Sequence, residues 1–373
     1  MLLSTKSVKI CLVIPSLQPG GMERVMSELV SFFAGKEQAE LHLVLYGKSR
    51  EIFYSVPDSV KIYKPEWPFN NDRRLLSTLR TLSWLRRTVK AIDPDTILSF
   101  GEYWNSFVLL ALKGTGYPVY VSDRCQPDKY LGRPHERLRR WLYPGAAGIV
   151  AQTSQAGEVY EELLGHKNVR VIGNPIRPIT GSGNPVKKEK IILTVGRLID
   201  TKHHDRLIEI FDRVKAEGWK LIIIGGNAIK QDGMSRLKAI VEERGLKGSV
   251  VLTGTVSNVE EYYLKSEIFA FTSSSEGFPN VVGEAMSAGL PVVSYDCVAG
   301  PSDMIDDGET GFLTEPFDDR EFEQKLKRLI DNNGLRVKMG AASRDRIRMF
   351  GAERVGEQFL SFITAHLNRD KEF

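Results

Sequence analysis

The sequence predicts an α/β protein made of two doubly wound units in series. Three observations carry this reading. Short apolar runs recur along the chain, of the length expected for buried strands. Each ends in a glycine- or serine-bearing loop and is followed by a helical pattern, the order that builds parallel sheets. Residues 180–190 are rich in Gly, Ser, Pro and Lys with no apolar period, and so read as an interdomain linker. At 373 residues two domains are favoured over one. The expected division is 1–180 and 181–351, with a closing helical region at 352–373.

Composition narrows the class. Apolar residues at 42% and charged residues at 26% are the proportions of a soluble globular chain. The three cysteines, Cys11, Cys125 and Cys297, are isolated and odd in number, which argues against a disulfide framework and a cysteine-rich metal site. No apolar run is long enough to span a bilayer. Lys6 and Lys9 interrupt the apolar start, so 8–14 reads as a first strand rather than a signal peptide. The expected location is therefore the cytoplasm. Residues 1–183 hold 24 Lys and Arg against 17 Asp and Glu, a net +7, while the remainder is −3. A basic first half points to an anionic partner.

In chain order, strand 8–14 is followed by a loop ending in Gly20-Gly21 and a helix over 23–33. A glycine pair there lets backbone approach a ligand, although no Gly-x-Gly-x-x-Gly fingerprint is present. After a strand at 41–46, the segment 73–92 places Leu75, Leu79, Leu82, Leu85, Val89 and Ile92 on one helical stripe, with Arg73, Arg74, Arg80, Arg86, Arg87 and Lys90 around it. Two readings stand: a sheet-covering helix with a solvated face, or a basic helix that docks on anionic lipid. Residues 135–143, with Arg137, Arg139, Arg140, Trp141 and Tyr143, would extend such a surface. Asp93-Pro94-Asp95 precedes strand 96–100, the wrong end for an active site, and no catalytic metal is expected there. Glu102 follows that strand at the ligand-facing end. Asp123 and Arg124 follow the next strand, 119–121, and strands at 148–152 and 169–172 complete the first sheet.

The second unit opens with strand 191–195 and then Gly196-Arg197, with Lys202 five residues on. Two cations on a short loop at a strand's carboxyl end suit an anionic ligand. His203 and His204 are adjacent, share no face and lack a third ligand, so they are expected to be solvated or helix-capping. Strand 220–224 ends in Gly225-Gly226, and strand 250–254 leads to the turn holding Val256. Apolar strand 268–271 gives way to a serine-rich loop with Glu276 and Gly277. Pro279 then starts a helix over 280–288 that carries Glu284 and stops at Gly289. The unpaired N–H groups and positive dipole end of that helix suit a phosphate. A strand at 291–295 follows, and from 315 onward the pattern is helical, at 320–332, 335–349 and 351–368.

The stretch Glu276-Gly-Phe-Pro-Asn-Val-Val-Gly-Glu284, continued by Ala-Met-Ser-Ala-Gly-Leu-Pro-Val-Val, resembles the Glu-x7-Glu motif of family-4 retaining glycosyltransferases. Gly20-Gly-Met-Glu-Arg24 is similar to that family's phosphate-side loop. The resemblance implies the GT-B architecture, two Rossmann-like domains facing across a cleft, with the last helix crossing back to the first domain. It implies a metal-independent hexosyltransferase-type enzyme (EC 2.4) with no cofactor, moving a sugar from a nucleotide-diphosphate sugar, a UDP-sugar above the others. Glu276, Arg197 and Lys202 would serve catalysis. Gly20, Gly21, Gly196, Val256, Gly277, Phe278, Pro279, Asn280, Val281 and Glu284 would bind the donor, with the N–H groups of Phe278, Asn280 and Val281 touching sugar and phosphate. Many relatives carry a histidine where Asp123-Arg124 stands, and Arg124 with Glu102 is the expected acceptor or sugar side. The acceptor would be a glycan or lipid-linked glycan, met peripherally at the inner face of the cell membrane. A GT-B nucleotide-sugar epimerase and a non-catalytic nucleotide-sugar-binding protein are the rival readings. Nucleic-acid binding lacks a recognition motif.

Overall fold

A computed structural model describes residues 7–49, 51–181, 186–228 and 231–369. The chain divides into two compact units, Met1–Pro175 with Ala352–Phe373, and Ile176–Gly351.

The first unit holds a parallel sheet of β1 (Val8–Ile14), β2 (Ala39–Leu45), β3 (Lys61–Tyr63), β4 (Thr96–Phe100), β5 (Val119–Ser122), β6 (Gly148–Ala151) and β7 (Val169–Val171), in the order β3-β2-β1-β4-β5-β6-β7. The central strands are near-continuous apolar runs because helices cover both faces. On one face α1 (Gly21–Ala34) and α12 (Ala352–Arg369) bury Val25, Leu29, Phe33, Val355 and Phe359 against Leu12 and Phe100. Thr96 Oγ1 donates to Ile363 O at 2.6 Å, tying α12 to β4. On the other face lie α2 (Arg74–Ile92), α3 (Glu102–Leu112), α4 (Arg133–Leu142) and α5 (Ser154–Leu164), whose Leu85, Val89, Val108 and Tyr160 meet Val13 and Val121.

The second unit orders β8 (Ile191–Val195), β9 (Lys220–Ile224), β10 (Val250–Gly254), β11 (Ile268–Phe271), β12 (Val292–Tyr295) and β13 (Gly311–Thr314) as β10-β9-β8-β11-β12-β13, all parallel. Around it pack α6 (His204–Val214), α7 (Gly233–Glu243), α8 (Val259–Lys265), α9 (Asn280–Ser287), α10 (Asp319–Asp331) and α11 (Asn333–Ile347). Strand order reverses at β1/β4 in the first sheet and at β8/β11 in the second.

Several expectations need adjusting. Edge strands β3 and β13 carry too little apolar pattern to stand out. Residues 176–180, assigned to the first domain, pack with the second unit: Ile176 N–H donates to Phe350 O (2.8 Å), and Ile176 and Ile179 are buried there. Of the expected linker, 182–185 lie outside the described residues, while Lys188 Nζ donates to Ser266 O (2.8 Å) and Glu189 N–H to Lys265 O (2.7 Å). Glu102, expected only to follow that strand, opens the first turn of α3.

Candidate active site

In an open α/β sheet, ligands bind outside the carboxyl ends of the strands where strand order reverses. In the second unit that place lies between the loops leaving β8 and β11, and hydrogen bonds tie the two together. Thr272 Oγ1 donates to the carbonyls of Lys202 (2.9 Å) and His203 (3.2 Å), and Ser274 N–H donates to Thr201 O (2.9 Å). His203 Nε2 lies 2.8 Å from Ser274 Oγ. The result is an ion pair between Lys202 Nζ and Glu276 Oε1, with both side chains mostly covered at 15% and 13% exposure. Lys202 ends a 3-10 turn, and His203 takes a left-handed φ of 48° that swings the chain into α6.

His203 stands at the N-cap of α6 without a side-chain capping hydrogen bond, and His204 is not solvated. His204 is buried, and burial above all, helped by the Lys202 charge, pushes its imidazole down to about 4. It sits against the Gly196 and Arg197 backbone as a neutral packing group. Burial also lowers His203. Cys297 is buried too, and burial first, then the Glu276 carboxylate, pushes its thiol up to about 12. It is a protonated neighbour of Glu276.

Backbone proximity holds the β8 loop in place. Gly196 N–H donates to Ile224 O (2.9 Å), and Gly225 N–H to Gly254 O (3.0 Å). A Cβ at Gly225 would stand 1.8 Å from the Gly196 carbonyl oxygen, so only glycine permits this approach. Arg197 is exposed and is not drawn into the Lys202–Glu276 pair. Val256 is half-buried against the core below.

Glu284 lies one turn into α9, on the face of Asn280 and Ser287. The fully buried Tyr263 of α8 donates its hydroxyl to Glu284 Oε2 at 3.0 Å. Sequence reasoning missed Tyr263, because nothing local links it to a partner 21 residues on. At the start of α9, Asn280 N–H already donates to Phe278 O (3.0 Å), so of the three N–H groups expected to meet a ligand this one is taken. The Phe278 ring packs on Phe350, 5.6 Å between centroids, which fixes the Gly277-Phe278-Pro279 corner.

In the first unit, Gly20 and Gly21 stand where β1 hands over to α1. Tyr54, not singled out from sequence, donates its hydroxyl to Gly20 O (3.0 Å) and accepts from Gly20 N–H (3.2 Å). After β5, Arg124 stacks 3.6 Å from the Phe100 ring centre and donates to Asn174 Oδ1 at 2.7 Å. Its Nε and Nη2 are buried with no hydrogen-bond partner among the described residues, and burial pulls the guanidinium down to about 9. Glu102 is near enough to Cys125 that, after burial, it is the next cause raising that thiol. Asp123 is buried under three donors: Asn105 Nδ2 (2.9 Å), Arg139 Nη2 (2.5 Å) and Tyr143 OH (2.5 Å). Arg139 and Tyr143 therefore leave the basic surface expected for 135–143 and anchor the Arg124 loop from inside. The paired aspartates of the 93–95 turn are structural: Asp93 accepts from Tyr117 OH (2.9 Å) and Asp95 from Lys9 N–H (2.8 Å).

Such a site offers a cation beside a carboxylate at a helix mouth, with a second carboxylate set by a buried phenol. The set suits an anionic group flanked by hydroxyls. Residues 19–178 match the family model described as Glycosyltransferase Family 4, and residues 177–346 match that described as Glycosyl transferases group 1. An uncharacterized glycosyltransferase of Methanocaldococcus jannaschii is 37% identical over 298 residues, 69% of this chain and 70% of that one. The N-acetylgalactosamine-N,N'-diacetylbacillosaminyl-diphospho-undecaprenol 4-alpha-N-acetylgalactosaminyltransferase of Campylobacter jejuni is 27% identical, over 95% of this chain and 99% of its own. The fold is shared with HepE of Anabaena in complex with UDP, at a TM-score of 0.81 and 17% identity over 96% of this chain and 100% of that one. On these matches, the chain belongs to glycosyltransferase family 4 and has the GT-B fold.

Proposed function

We propose that this glycosyltransferase moves a hexose-type sugar from a UDP-sugar to a lipid-linked or polysaccharide glycan, with retention of configuration and without a catalytic metal. The observation that carries the reading is the Lys202–Glu276 ion pair at the β8/β11 reversal. UDP in the HepE crystal and the diphospho-undecaprenol acceptor in the name of the Campylobacter relative support the donor and acceptor classes.

In this mechanism Lys202 and Arg197 neutralise charge on the diphosphate as its bond to the anomeric carbon breaks. Glu276 orients the donor sugar, and Glu284, fixed by Tyr263, grips the ribose. The acceptor hydroxyl attacks from the face the diphosphate leaves. Its oxygen bonds to the anomeric carbon while its proton passes to a departing phosphate oxygen. No separate protein base is then required, and two side-chain cations do the neutralising that a metal does elsewhere.

Thermal-shift measurements with UDP-, GDP- and ADP-sugars test the donor, because a ligand at about a hundred times its Kd adds roughly 2.7 kcal/mol. The anomeric configuration of the product, read by NMR, tests retention. A chain stabilised by none of the three nucleotides, or an inverted product, ends the proposal.

A further inference from the structure

The first turns of α2 are built inside out. Leu75, Leu76 and Leu79 are 72%, 63% and 52% exposed, while the residues buried beside them are Ser77 and Thr81. Ser77 Oγ donates to Asn70 O (3.1 Å) and Thr81 Oγ1 to Ser77 O (2.8 Å), so the hydroxyls are satisfied inward and the leucines are left out. An ordinary surface helix does the reverse, as α6 does here with Leu207, Ile208, Ile210 and Phe211 all buried. The charge is also placed against local preference. Arg73 and Arg74 stand at the positive end of α2, whose first turn has no acid.

The leucines continue into a cavity. Leu82 shares the Leu75/Leu79 stripe and lines a cavity of about 310 Å³ between α2, α3 and α4, walled also by Tyr46, Phe69, Trp104, Phe107 and Leu110. Lys48, Arg74 and His135 line it too, and among the described residues no acid does. Trp104 and Tyr103 are 40% and 37% exposed. Arg80 stacks 3.9 Å from the Trp67 ring centre, setting a further cation on this surface. Asp72, just before the helix, is the acid nearest in sequence.

We propose that this face docks on an anionic lipid leaflet. Leu75, Leu76 and Leu79 enter the acyl boundary, Arg73, Arg74 and Arg80 take lipid phosphates, and the cavity receives one hydrocarbon chain. Charge complementarity selects this occupant over a second copy of the chain, since a two-fold contact would set arginine cluster against arginine cluster. Among the described residues no helix is long and apolar enough to cross a membrane, so the attachment is peripheral. The inference deepens the lipid-linked acceptor reading, but it is tested without sugar.

The full chain is floated with phosphatidylcholine vesicles, with and without phosphatidylglycerol, at low and high salt. Binding is expected only with phosphatidylglycerol and should weaken with salt. Arg73→Gln/Arg74→Gln should weaken it about thirtyfold at low salt, and Leu75→Ser/Leu76→Ser/Leu79→Ser should abolish it. Both variants should keep the melting temperature and the nucleotide-induced shift of the parent. Failure of the parent to float, or flotation of the leucine variant like the parent, overturns the proposal. So does a change from oligomer to monomer in that variant with flotation unchanged. Loss of the nucleotide shift in the parent would instead count against the donor reading and leave this one standing.

Discussion

The Lys202–Glu276 pair can be separated into a structural part and a chemical part. At contact distance two unit charges attract by about 1 kcal/mol in water and about 4 kcal/mol at an effective dielectric near 20. Both side chains retain some solvent, at 15% and 13% exposure, and desolvation offsets part of the attraction. The net stability contribution should therefore be roughly 1–2 kcal/mol after that discount. The catalytic contribution should be larger, since one lost charge-stabilising donor typically costs about 10²- to 10³-fold in rate. Lys202→Ala should thus lower single-turnover transfer by that factor while costing no more than about 2 kcal/mol in a denaturant melt. Glu276→Gln should cost similar stability and lose transfer, yet hold UDP within a few-fold of the parent by calorimetry, because Lys202 is then free to face phosphate. The double variant should show stability coupling of about 1–2 kcal/mol. The exchange Lys202→Glu/Glu276→Lys should recover that stability and none of the transfer. If Lys202→Ala shows the stability loss but transfers within tenfold of the parent, the pair is structural and the assigned roles are wrong.

Other outcomes follow from neighbouring contacts. Gly225→Ala places a methyl 1.8 Å from the Gly196 carbonyl, so it should cost about 1–3 kcal/mol and abolish the UDP-induced thermal shift; Gly248→Ala, with nothing within 4 Å, should do neither. Tyr263→Phe removes the hydroxyl that meets Glu284 and should weaken UDP binding about 5- to 30-fold, with little change in the turnover of saturated enzyme. His204 titrates near 6.5 when unfolded and at about 4 when folded, so the unfolded chain binds the extra proton and stability falls as pH drops through that window. The loss should be about 2 kcal/mol by pH 5, and a His204→Leu variant should lack it in melts at paired pH values.

What the sequence made legible was local. Strand bounds at 8–14, 96–100, 191–195 and 268–271 coincide with β1, β4, β8 and β11, because strands covered on both faces read as unbroken apolar runs. Glu276, Glu284 and Lys202 were singled out by their place after those strands and by the resemblance of residues 276–284 to a family motif. Their partners were not, because Tyr263 reaches Glu284 from another helix, and Asp123 gathers Asn105, Arg139 and Tyr143 from elements up to 20 residues away. A run of arginines in a polar helix says nothing about which one turns inward. Arg139 does so because a buried aspartate needs it, and an isolated buried carboxylate would be far costlier than an ordered guanidinium. The leucine stripe of α2 fails for a related reason. Periodicity gives the direction of a face but not the length over which a neighbour covers it. Leu85 and Val89 meet the sheet, whereas Leu75 and Leu79 reach past it, and the Asn70–Ser77 hydrogen bonds close the inner side in their place. Where a chain spends hydroxyls inward to keep leucines outward, the apolar surface is being held for something other than its own core.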